Sequence, residues 1–194
     1  MLSFQIILHG FLLWASMGFL MPIGILVIRM SNRHEEFGRR RKIILHIHAT
    51  LQILSFILVT VATIMSIGNF DNSFTNNHQR IGLAVYAAIW LQAATGVFKP
   101  DRESKGRSMW FAVHWFLGMA VCLLGIINIY TGLQSYRTRT MRSTSVWNLA
   151  FTVEIVIILF IYLLQEKWPY IKQIRSDLVN ETVTTNELRN IFNR

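Results

Sequence analysis

Residues 2–28 read LSFQIILHGFLLWASMGFLMPIGILVI, a run from Leu2 to Ile28 that contains no Asp, Glu, Lys or Arg. The hydrocarbon core of a bilayer is roughly 30 Å thick and takes about 20 apolar residues of helix to cross. The run is long enough to span, and Arg29 ends it. Four further apolar blocks follow, from about Ile43 to Ile67, Ile81 to Phe98, Met109 to Leu133 and Val146 to Leu164. Backbone in lipid has to satisfy its own hydrogen bonds, which leaves helices or closed barrels; the alternation of barrel strands is missing from these blocks. Short connections make successive helices antiparallel neighbours. The expected fold is all-α, a polytopic membrane helix bundle of about five transmembrane helices. Residues 1–170 would form the transmembrane domain and 171–194 a polar tail, loosely ordered from about Arg175.

The composition points the same way. Hydrophobic residues make up 53% of the 194 and charged ones 15%, and most of the net charge of +9 lies between the blocks and in the tail. Basic clusters that flank spans mark topology, whereas a nucleic-acid surface would gather them into one stripe. Membrane lipid is therefore an expected partner and nucleic acid is not. One cysteine, Cys122, allows neither an intrachain disulfide nor a thiolate zinc site. The first run lacks a basic start and a small-residue cleavage site, so it reads as a retained span rather than a signal peptide. Arg29, Arg33, Arg39, Arg40, Arg41 and Lys42 follow the first span, Lys99, Arg102, Lys105 and Arg107 the third, and Lys167, Lys172 and Arg175 the fifth. The other side holds only Arg80, Arg137, Arg139 and Arg142. The positive-inside rule then puts the N-terminus on the non-cytosolic side and the C-terminus in the cytosol. The sequon Asn180-Glu181-Thr182 would face the cytosol and stay unmodified.

Six histidines carry the chemistry. His34 lies in a charged loop and reads as solvated. The other five lie in or beside spans, where ionisable groups are costly and mark function. His9 is near the start of the first span, His48 of the second, His78 of the third and His114 of the fourth. Antiparallel helices put His9 and His78 at one depth and His48 and His114 at the other. Two same-depth pairs on alternate helices are what two bis-histidine haems need, whereas scattered core histidines would match that pattern only by accident. Gly82 and Gly118 each follow a histidine by four, on the same helix face. They would clear room for a flat macrocycle, or simply let helices approach closely. His46 competes with His48. The face of His48 continues through Gln52, Ser55, Val59, Ala62 and Ser66 and looks inward; that of His46 continues through Thr50, Ile53 and Ile57 and looks toward lipid. His48 is the expected ligand and His46 an interfacial or propionate-facing residue.

These residues bring a family into view. His9-Gly10 with Met21-Pro22-Ile23-Gly24 and Arg29, the run from His48 to Gln52, the run from His78 to Gly82, and the run from Trp110 to His114 with Gly118 resemble the cytochrome b561 core. The stretch from Leu124 through Asn128 to Tyr130 resembles the fourth core helix of the plant branch, whose members often follow an extracellular DOMON domain. The resemblance runs from about Leu8 to Leu164. It implies two haem b groups as cofactors, His9 and His78 as axial iron ligands of the outer and His48 and His114 of the inner, and transmembrane electron transfer. The implied donor is cytosolic ascorbate or a similar reductant, and the implied acceptor is monodehydroascorbate or a ferric chelate on the non-cytosolic side. The chain departs from the ascorbate-recycling members, which have six spans with the ligands on the middle four; here five are expected, with ligands on the first four and no DOMON domain before them.

Other residues carry weaker signals. Arg29, Arg40, Arg41, Lys42 and Arg107 could gather an anionic reductant, though topology signalling and lipid-headgroup contact are the better account of any one of them. Glu154 is an acid inside the fifth span, read as hydrogen-bonded in the bundle or as a proton relay. Trp110, Trp147, Trp168 and Tyr170 read as an interfacial aromatic belt. Two other functions stay open: a haem-bearing subunit that passes electrons to a protein partner, and a haem-free, histidine-lined transporter. A homodimer stays open as well.

Overall fold

The computed structural model describes residues 2–31, 38–101 and 103–192. Arg33, His34 and Arg102 lie outside the described residues. The first span is built of α1 (Leu2–Leu13), a π-helical segment (Trp14–Leu20) and α2 (Met21–Ser31). Then follow α3 (Arg39–Asn69), α4 (Asn77–Val97), α5 (Arg107–Thr140) and α6 (Ser145–Phe192). Five helices are long and apolar enough to cross a membrane. The fold is an all-α, multi-pass membrane bundle. Its amino face carries the start of α1 and the turns at 70–76 and 141–144, and its basic face carries the ends of α2 and α4 and the starts of α3 and α5.

Three helix boundaries differ from the apolar blocks, each for a local reason. α4 begins at Asn77 rather than near Ile81, because the Asn76 side chain accepts a hydrogen bond from the Gln79 amide at 2.9 Å; a capped polar turn extends a helix that hydropathy starts later. α5 continues past Leu133 to Thr140, ending on Arg137 and Arg139 in the last turn, where cations favour the helix dipole. Met141 closes it in the left-handed region at φ 55°. The segment beyond Arg175, expected to be loosely ordered, is helix to Phe192. A helix already nucleated by the fifth span can propagate without a second nucleation cost, and it runs through Pro169.

The buried core lies at mid-depth: Met17 and Met21 from the first span, Val59 from α3, Val85 and Ile89 from α4, Val121 and Cys122 from α5. Gly125 makes it possible, because a Cβ there would collide with Met17. The outer surfaces of the helices are apolar and exposed, as at Ile64, Phe116 and Leu149, which is the surface lipid requires. α6 lies against the first span: Trp14 Nε1 donates to Glu154 Oε2 at 2.7 Å, Gln165 Nε2 donates to the Leu26 carbonyl at 3.1 Å, and Arg29 pairs with Glu166 at 2.5 Å.

The π segment is the irregular part of the bundle. The Met21 amide reaches back five residues to the Ser16 carbonyl, which widens the turn. Ser16 and Ser55 are both fully buried and bond reciprocally: Ser16 Oγ donates to the Ser55 carbonyl at 2.8 Å and Ser55 Oγ to the Ser16 carbonyl at 3.0 Å. Hydrogen bonds of this kind hold membrane helices together where apolar contact gains nothing over lipid. Ser55→Ala is expected to cost about 1 kcal/mol, read from the unfolding midpoint in mixed detergent; an unchanged midpoint would assign the pair no stabilising role.

Candidate cofactor site

At the amino face the structure brings His9 and His78 together. Their ring centroids are 6.2 Å apart and the ring planes 88° apart. His9 Nδ1 bonds the Ala62 carbonyl of α3 at 3.0 Å, and His78 Nδ1 bonds the Asn128 carbonyl of α5 at 3.1 Å. Each Nδ1 is therefore the protonated nitrogen, and Nε2 keeps its lone pair for a metal, the arrangement that fixes ligand tautomer and ring orientation. Metal–imidazole bonds are roughly 2 Å long; two in line across one ion put ring centroids about 6 Å apart, which matches the observed spacing.

A cavity of about 910 Å³ opens beside this pair, near the upper end of the ~300–1,000 Å³ range of small-molecule sites. Gly10 borders it, with nothing within 4 Å of where a Cβ would stand. Arg139 and Arg142 are among its lining residues. Phe70 meets the His9 ring edge-on at 5.5 Å. α6 closes one wall with Trp147, Phe151 and Glu154.

At the basic face lie His48, near the start of α3, and His114, near the start of α5. His48 Nδ1 bonds the Gly24 carbonyl at 2.8 Å. His114 Nδ1 lies 2.8 Å from Thr95 Oγ1, whose own hydrogen goes to the Gln92 carbonyl at 2.7 Å, so the Thr95 hydroxyl accepts from the imidazole. The Gln92 amide nitrogen covers the ring, 3.4 Å from both nitrogens. Its withdrawal would free Nε2 here. Trp110 stacks on His114 at 5.2 Å with 14° between planes, donates Nε1 to the Thr95 carbonyl at 2.7 Å, and carries the Arg107 guanidinium 4.4 Å from its ring centroid.

One spacing relates the two faces. His48 is fourteen residues from Ala62 on α3, His78 fourteen from Gln92 on α4, and His114 fourteen from Asn128 on α5. On the first span His9 is fifteen residues from Gly24. At 1.5 Å per residue the two layers are about 21 Å apart. The mid-depth core fills the interval.

The two readings of the glycines separate here. Gly82 and Gly118 do not border open space: a Cβ at Gly82 would meet the Asn128 amide at 3.2 Å, and one at Gly118 the Gln92 amide at 2.9 Å. An i+4 position faces the adjacent helix, and these two glycines let α4 and α5 close on each other. The glycine against a site histidine is Gly132, where a Cβ would lie 3.0 Å from His78 Cε1. Spacing along α5 gave no sign of it, since its partner is on α4. Trp110 and Trp147 border the two sites; Trp147, Trp168 and Tyr170 are exposed. His46 is exposed and its Nδ1 meets the Lys42 carbonyl of its own helix at 2.6 Å. Arg29 is committed to Glu166 and to the face of Tyr162.

The sequence model of eukaryotic cytochrome b561 matches residues 8–139. A cytochrome b561 domain-containing protein of Arabidopsis thaliana is 43% identical over 185 residues, 95% of this chain and 72% of its own length. Two cytochrome b561 and DOMON domain-containing proteins of the same plant are 30% and 28% identical, over 66% and 75% of this chain. The chain covers about a third of the length of these two, 32% and 30%. No solved structure matches the chain.

Proposed function

Because the chain belongs to the eukaryotic cytochrome b561 family, a family of membrane b-type cytochromes, we propose that it holds two haems and carries electrons from one face to the other. His9 and His78 would bind one haem at the amino face, His48 and His114 the other at the basic face. With two histidines holding each haem, the chemistry it would supply is outer-sphere electron transfer. The single observation that carries this reading is the pair of histidine layers about 21 Å apart, each with its Nδ1 atoms satisfied by protein groups.

The residues divide the work. The Ala62, Asn128 and Gly24 carbonyls and the Thr95 hydroxyl hold the imidazoles still. Arg139 and Arg142 would neutralise propionates at the amino face. Arg40, Arg41, Lys42 and Arg107 would concentrate an anionic reductant at the basic face. Arg29, tied to Glu166, has a structural task instead. We assign the donor as cytosolic ascorbate and the acceptor as monodehydroascorbate or a ferric chelate. A bare-metal transporter is a weaker reading: among the described residues no three His, Cys, Asp or Glu side chains converge.

Vesicles carrying the protein, with ascorbate on the side of the basic face, should reduce an impermeant ferric chelate on the other side. Haem reduction without ferrous product would remove the acceptor assignment and keep the relay. Orientation is checked separately. A tag after Arg194 should be protease-accessible from the cytosol and one beside Phe74 from the opposite side, since basic residues crowd the ends of the odd-numbered spans. Glycosylation at Asn180 would reverse this topology.

A further inference from the structure

Glu154 is the one acidic residue between Ser145 and Gln165, the apolar part of α6. It also lies outside the stretch matched by the family, which ends at residue 139. Its side chain lines the cavity that contains His9 and His78. Oε2 accepts from Trp14 Nε1, while Oε1 is buried and has no hydrogen-bond partner among the described residues. The other titratable or charged groups lining that cavity are His9, His78, Tyr136, Arg139 and Arg142. None of them forms an ion pair with Glu154 among the described residues. A carboxyl group with one fixed donor and one unpartnered oxygen in an apolar wall is placed to exchange a proton with the cavity.

Resting on the haem assignment of His9 and His78, we infer that Glu154 is a redox-linked proton site: one proton binds its carboxylate when one electron arrives between those histidines, and leaves when the electron leaves. The balance closes on itself. A one-electron reductant supplies the electron, the aqueous phase at the cavity mouth supplies the proton, and both return on re-oxidation. The sign follows from charge. An added electron makes the cavity more negative, which disfavours a second negative charge on Glu154. By linkage the amino-face site becomes harder to reduce as pH rises. Trp14 holds the carboxyl in place but cannot itself supply the exchanged proton, because indole N–H only donates a hydrogen bond.

The test is a spectroelectrochemical titration of purified holoprotein at several pH values, for wild type and Glu154→Gln. Gln keeps the size and the acceptor for Trp14 and cannot titrate. Of the two reducing components in wild type, the one that His9→Leu removes should shift its redox equilibrium with pH, by up to about tenfold per pH unit at one proton per electron. In Glu154→Gln that component should be flat. A second readout needs only wild type and the variant as spectra: the reduced-minus-oxidised infrared difference should contain a protonated-carboxyl band that Glu154→Gln lacks. Flat potentials in a two-haem wild type, or pH dependence and infrared band unchanged in the variant, overturn the proton site alone. Wild-type protein that binds no haem overturns the proton site together with the haem assignment.

Discussion

His78→Leu is expected to leave one haem per chain in place of two and to abolish ferric reduction at the amino face. On the proposed assignment the imidazole would be one of two ligands to that iron, and leucine has no nitrogen to replace it. His9→Leu should do the same, because the two rings stand 6.2 Å apart and would serve one site. His48→Leu and His114→Leu should remove the other haem and retain the one at the amino face. In His9→Leu and His78→Leu, ascorbate should still reduce the haem that remains, since its approach from the basic face is untouched. His46→Leu should retain both haems and wild-type transfer; its ring is exposed and bonded to its own helix. Haem-to-protein ratio by absorbance and trapped ferrous product on the far side give the two readings together. Two haems retained in His78→Leu would remove the pairing, and haem loss in His46→Leu with retention in His48→Leu would exchange the ligand on α3.

Gly132→Val is expected to approach the effect of losing His78 itself. A Cβ at that position would already stand 3.0 Å from His78 Cε1 and 3.2 Å from Nδ1. The ring cannot yield easily, because Nδ1 is bonded to the Asn128 carbonyl one turn earlier on the same helix as the intruding side chain. Two branched methyl groups would drive the imidazole off that carbonyl and out of line with His9. Haem content should fall toward one per chain, with near-complete loss of transfer to the far side. Gly68→Ala, where nothing stands within 4 Å of the added carbon, serves as the comparison and should match wild type in both. Full haem content in Gly132→Val would mean that the His78 ring has another stable position, and the close contact would lose its significance.

The spans and the depth of each histidine were legible because both follow from counting along one chain: apolar blocks set the helices, and helix direction sets the layer. That His48 faces inward and His46 outward was legible for the same reason, by the character of the residues at helical spacing on each face. What lies across an interface could not be counted. Gly132 acts on a ring of α4, Thr95 accepts from a ring of α5, and Trp110 stacks on His114 while bonding the Thr95 carbonyl. Gly82 and Gly118, each four residues after a histidine, fitted either room for a cofactor or close helix approach, and counting could not choose; each faces an amide of the opposing helix. Helix ends escape hydropathy for a related reason. Hydropathy marks the lipid boundary, whereas α4 starts at its Asn76 cap and α6 runs on to Phe192 beyond the apolar block.

The π segment has a consequence for the length of the chain. Three helices join the two histidine layers in fourteen residues and the first in fifteen, and each residue of an α-helix turns the chain by about 100°. A surplus residue in a regular helix would therefore swing His9 a quarter-turn or more out of phase with Gly24. Between Trp14 and Leu20 that surplus is taken up by one widened turn, so both ends keep their azimuth. The segment works as a phase compensator, and it makes the helices unequal in their response to deletions. Removing one residue from within Trp14–Leu20 should return the first helix to plain α geometry with His9 and Gly24 still aligned. Removing one between His48 and Ala62 of α3, where no slack exists, should turn His48 away from its layer. Relatives one residue shorter in the first span are accordingly expected to have lost the widened turn and kept the histidine.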